Sequence, residues 1–144
     1  MLEGTLVAVP VRLGGILPIL HVGILSPDQG PDGRRTILHN SRRYGQCIET
    51  LAADFLYGQT GRAVLLGYPG CLPPGAVVER ARERLGAPYR TATYNCEHYA
   101  ADCHGIAIAS PQWLAWQRAL VRVCLDPWGR QAPTHLKQHS FEVP

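Results

Sequence analysis

Lysine is nearly absent from this chain of 144 residues: arginine outnumbers it thirteen to one, a bias that reflects genome composition more than mechanism. Long apolar runs are missing as well. Those present, such as 13–25, are interrupted by Gly, Pro or His, and none reaches the roughly 18 residues a membrane-spanning helix needs. No basic stretch leads into an apolar run and a small-residue cleavage site, so no secretory signal is readable. The expectation is a soluble cytoplasmic protein or a delivered effector. No CxxC pair occurs among Cys47, Cys71, Cys96, Cys103 and Cys124, which argues against a zinc ribbon. Their odd number and irregular spacing argue against a disulfide framework, so a reducing compartment is the default. Charge of one sign is scarce too. The net +3 is scattered, and the densest basic spots, Arg34-Arg35 and Arg42-Arg43, make no stripe of the kind that nucleic-acid binders carry. No nucleic-acid partner is expected, and membrane contact should be at most weak and peripheral.

With 46% hydrophobic and 17% charged residues the chain can bury an ordinary core. It shows no internal repeat. It reads as one domain over 1–128 followed by a polar tail over 129–144. Strands are expected at Leu6 to Val11, Ile16 to Leu25, Thr36 to Asn40, Gln46 to Thr50 and Ala63 to Tyr68, with Ser26 to Arg35 as a surface loop. Leu51 to Tyr57 has the length of a short helix. A clearer helix starts near Pro74: Ala76, Val77, Ala81 and Leu85 form its apolar stripe, charged residues cover the other side, and Gly86 fits its C-cap. Asn95 reads as the N-cap of a helix running to about His104 and stopped by Gly105. Ser110-Pro111 opens a last helix with Trp113, Trp116 and Leu120 on one face, a spacing that suits packing on the sheet better than lipid contact. Strands first and helices afterwards predict α+β, a small antiparallel sheet with packed helices.

Three residues carry chemistry together: His21, His39 and Cys96. The histidines lie in two neighbouring strand candidates, which can present both imidazoles on one face. Cys96 follows the N-cap, in the first helical turn, where unpaired N–H groups and the helix dipole favour a thiolate. An adjacent imidazole would accept the thiol proton, and a second polar group would fix its tautomer. A lone buried cysteine is more often a small hydrophobe, so the pattern carries weight only if the three meet in space. His98 points away from Cys96 round the helix, so helix packing is expected of it, not metal ligation.

Asn95-Cys96-Glu97-His98-Tyr99 resembles the NCEHF motif of the lecithin:retinol acyltransferase (LRAT)-like family, a permuted branch of the NlpC/P60 papain-like thiol enzymes. His21-Val22-Gly23-Ile24 resembles that family's first histidine strand, and Ile37-Leu38-His39-Asn40-Ser41 its second. The stretch from Val78 to Gly86 and Tyr89 resembles the approach to the cysteine, and Ser110-Pro111-Gln112 a later element. The order His, His, Cys is that of the permuted branch. The resemblance implies a permuted NlpC/P60 fold with Cys96 as nucleophile through an acyl-thioester. His21 would be its base and acid, His39 would orient His21, and the Cys96 backbone N–H would help bind the oxyanion. It implies an acyltransferase or thiol hydrolase with an acyl ester or amide substrate, lipid or peptide, and neither cofactor nor metal. An NlpC/P60-type peptidase or amidase on cell-wall or protein amides is the alternative. A catalytically idle interaction domain is disfavoured because all three polar residues are present. The chain departs from the family pattern at Ile19, where animal members often carry an aromatic. The segment between the two histidines is also longer, and no C-terminal membrane helix follows.

Overall fold

A computed structural model describes residues 3–13, 17–56 and 63–106. In chain order its elements are β1 (Leu6–Leu13), β2 (Leu17–Gln29), β3 (Arg35–Ser41), β4 (Gln46–Thr50), α1 (Ala52–Phe55), β5 (Val64–Gly67), α2 (Pro74–Glu83) and α3 (Cys96–Cys103). The strands form an open sheet in the order β4-β3-β2-β1-β5, and every neighbouring pair is antiparallel. The protein is thus α+β. The expected helix after Ser110 and the tail over 129–144 lie outside the described residues.

Strand alternation divides the apolar residues between two cores. Leu6, Ala8, Val22, Ile24 and Leu38 face α2 and α3, meeting Val77, Val78, Ala81, Tyr99, Ala100 and Cys103. Val7, Val9, Leu25 and Ile37 face the other way, onto Ala52, Phe55 and Leu56 at α1. A sheet covered on both faces selects continuous apolar strands over polar alternation, which is why 6–9 reads Leu-Val-Ala-Val.

Two expectations are corrected. Residues 26–29 are strand, not loop, and the turn shrinks to 31–34. The β2–β3 register is irregular between Leu25 and Gln29, so Pro27 sits where its missing N–H costs no regular ladder bond. Arg82 holds this extension, donating to the Asp28 carboxylate at 2.6 Å and to Ser26 Oγ at 3.1 Å. On α2 the buried stripe is Val77, Val78 and Ala81, whereas Leu85 is 43% exposed because the helix has already ended at Glu83. The arginines on its charged side are partly buried and bonded. Arg84 grips the Asp102 carboxylate, with Nη2 to Oδ1 at 3.0 Å, and Arg80 donates to the Asp102 carbonyl at 2.9 Å. These bonds clasp α2 to α3. Among the described residues no helix is long and apolar enough to cross a membrane.

Gly23 sits directly against the second core. A Cβ there would lie 2.5 Å from Ile37 Cγ2 and 2.9 Å from the Phe55 ring. Gly23→Ala should therefore cost about 1–3 kcal/mol by overpacking, read as a lower urea midpoint. An unchanged midpoint would show that Phe55 yields freely.

Candidate active site

The local sequence builds the start of α3 in detail. Asn95 Oδ1 accepts from the backbone N–H groups of Glu97 at 3.0 Å and His98 at 3.2 Å. His98 folds back so that Nδ1 lies 3.4 Å from the Asn95 backbone nitrogen, completing a capping box with histidine in the usual Glu/Gln place. His98 is therefore occupied by the cap. Asn40 Nδ2 donates to the Tyr94 carbonyl at 2.7 Å and pins the turn before the helix to β3. Gly105, at φ 67°, follows the helix C-cap His104.

The sheet delivers the imidazoles. By register, His39 pairs across β3–β4 with Ile48, and His21 pairs across β1–β2 with Val9. His21 Nε2 and His39 Nδ1 are 2.7 Å apart, and the two rings meet edge to face. Both rings also contact Phe55, each with centroids 5.1 Å away. His39 Nε2 lies 3.0 Å from Thr50 Oγ1. The result is a buried chain of polar groups, His21–His39–Thr50, on the α1 side of the sheet.

Cys96 arrives from the α3 side. Between β2 and β3 the regular pairs are Ile24–Leu38 and Leu25–Ile37; from Val22 back to Leu17, β2 pairs with β1 alone. Leu25 directs its N–H and C=O toward the β1 side, to Thr5 and Gly4. By strand alternation Val22 directs its own toward β3, beyond the last ladder pair. The Val22 N–H is taken by the Cys96 sulfur. That nitrogen belongs to the peptide joining His21 to Val22, so the thiol touches the main chain of the histidine residue itself.

Electrostatics overturn one expectation. Burial pushes the Cys96 thiol up, to about 11, against the pull of the Val22, Glu97 and Cys96 N–H groups. The thiol is only 9% exposed, and loss of water outweighs the helix terminus. Burial likewise lowers His21, to about 4, and His39 also titrates well below the ordinary histidine range, through burial and the neighbouring His21. At rest the thiol and both imidazoles are neutral, not a thiolate and an imidazolium.

Thr50 and Asn40 escaped the sequence analysis. Thr50 carries no motif, Asn40 stands in the stretch around His39 with no role of its own there, and only partners remote along the chain give them roles. No protein-family model, no curated protein and no solved structure matches this chain.

Two outcomes follow from these protonation states. Iodoacetamide should label exposed Cys71 before Cys96 at pH 7. Labelling of Cys96 should rise about tenfold per pH unit toward pH 11, as its thiolate fraction grows. Peptide mass mapping reads the order, and faster labelling of Cys96 at pH 7 would reveal an ion pair. Stability should also fall in acid. His21, His39 and His104 are all buried with lowered pKa, so the unfolded chain takes up protons near pH 6.5 that the folded chain refuses until about pH 4 or below. Stability is then fully present above about pH 6.5 and declines toward pH 4, by up to about 1.4 kcal/mol per pH unit for each histidine. A urea midpoint constant between pH 7.5 and pH 5 would contradict this.

Proposed function

We propose that this chain is a cysteine-dependent acyl-transfer enzyme, an LRAT-like thiol hydrolase or acyltransferase with the permuted NlpC/P60 arrangement, acting on an ester or amide through an acyl-thioester on Cys96. The observation that carries the reading is the Cys96 sulfur on the peptide joining His21 to Val22, in a chain whose His21 ring is bonded to His39. Nucleophile, base and orienting group then come from α3, β2 and β3 in the permuted chain order.

The neutral resting state sets the mechanism. His21 Nε2 is engaged with His39, so Nδ1 is the nitrogen that takes the thiol proton as sulfur attacks the acyl carbonyl carbon. The new C–S bond forms, the carbonyl π electrons move to oxygen, and the Cys96 N–H stabilises that oxyanion. Collapse expels the alcohol or amine, which leaves with the proton held on His21 Nδ1. Water, or an acceptor alcohol or amine, then loses its proton to His21 and attacks the thioester, which releases the thiol. His39 holds the imidazolium through the 2.7 Å bond. No step requires a metal or a cofactor.

The substrate class is tested by intact-mass spectrometry after incubation with phospholipid vesicles and, separately, with muropeptides. An acyl adduct on Cys96 from vesicles identifies a lipid acyltransferase or hydrolase; one from muropeptides identifies the peptidase or amidase.

Cys96→Ala should abolish turnover, and His21→Ala should lose nearly as much because nucleophile and base act as one unit. His39→Gln should lose less, since an amide can still hold an imidazole. The pH profile of kcat/KM should fall as pH drops through about 4, where His21 protonates and can no longer accept the thiol proton, and stay level through neutrality. Wild-type turnover by Cys96→Ala removes the nucleophile assignment.

A further inference from the structure

We infer that Thr50 is a positioning residue for this site: its hydroxyl is the partner of His39 Nε2, and with that hydroxyl as acceptor the two rings take the tautomers that leave a lone pair on His21 Nδ1. The inference rests on the acyl-transfer reading and adds to it a residue that no motif marks.

The bonding pattern allows two proton arrangements. In one, His21 Nε2–H donates to His39 Nδ1, and His39 Nε2–H donates to Thr50 Oγ1 at 3.0 Å. His21 Nδ1 is then an acceptor and can serve as base. In the other, the Thr50 hydroxyl donates to His39 Nε2 and His39 Nδ1–H donates to His21 Nε2. Both protons of the chain have shifted, His21 Nδ1 carries a hydrogen, and the base is switched off. The oxygen at the far end of the chain therefore bears on the proton at the near end, two rings away. His39 is 2% exposed and Thr50 8% exposed among the described residues, so bulk water has little access. Thr50 lies opposite Ile37 in the β3–β4 ladder, one pleat along from His39 on the same face, which fixes the hydroxyl against the ring. The Phe55 ring packs edge to face with His39 and keeps it from turning. During acylation the same bond spreads the positive charge of His21 along the chain, because a hydrogen-bonded series polarises cooperatively.

Thr50→Val keeps shape and removes the oxygen, whereas Thr50→Ser keeps the oxygen. The rate of acylation is read from the p-nitrophenol burst with p-nitrophenyl butyrate, and the tautomers from ¹⁵N shifts of the histidine rings. Thr50→Val should slow the burst about 10–100-fold at similar KM, and the His39 Nε2–H signal should give way to a mixture of tautomers. Thr50→Ser should restore the burst to within about threefold and restore the wild-type ¹⁵N pattern. Equal losses in both variants, or a Thr50→Val protein with wild-type burst and wild-type ¹⁵N shifts, overturns the inference. If the wild-type protein shows no burst that Cys96→Ala removes, the acyl-transfer reading fails instead. The ¹⁵N pattern then decides by itself whether Thr50 sets the tautomer.

Discussion

The candidate site depends on where the β2–β3 ladder stops. Regular pairing reaches Ile24–Leu38 and goes no further toward the start of β2, so the Val22 N–H has no strand partner to bond. A buried backbone donor has to be satisfied, and here the acceptor is the sulfur of Cys96. The thiol reaches the sheet from the α3 side, and the two imidazoles lie on the α1 side.

Holding the cysteine there is the task of α3 and its supports. Asn95 caps the helix, Asn40 anchors the preceding turn to β3, and the Asp102 carboxylate takes Arg84 and the Tyr94 hydroxyl together. Single half-exposed ion pairs add little, but this one joins α2, α3 and the turn before the cysteine. Position, more than free energy, is what the network supplies. Arg82 does the same for the far end of β2 through Asp28, Ser26 and Glu49.

Burial shapes the chemistry as strongly as geometry does. An exposed helix terminus favours a thiolate, yet Cys96 is covered, and removing water from a charge costs more than three backbone N–H groups return. The imidazoles follow the same rule and stay neutral. In the proposed acyl transfer, groups that are neutral at rest become charged only as the acyl carbonyl is attacked. Proton position then matters more than ion pairing, which gives the tautomer of the two rings its weight.

Much of this was legible along the chain, wherever the signal was local. Short runs bounded by turn residues placed β1 and β3 to within a residue or two, and β4 over 46–50 without error. Asn95 and Gly105 bounded α3 because capping depends on a few adjacent residues. His21, His39 and Cys96 stood out by residue type. What the sequence could not supply were quantities that depend on neighbours remote along the chain. The strand character of 26–29 required Arg82, some 54 residues away, and the exposure of Leu85 required knowing where α2 ends. The sign of the Cys96 shift turned on how deeply the helix start is covered, which no local propensity reports. Thr50 entered through a cross-strand diagonal, a relation set by register alone. Residue type and short spacing thus determined which groups the protein owns and in which elements they sit. The tertiary structure decided which of them meet and in what state of charge, because hydrogen-bond partners and desolvation are set by packing across the sheet.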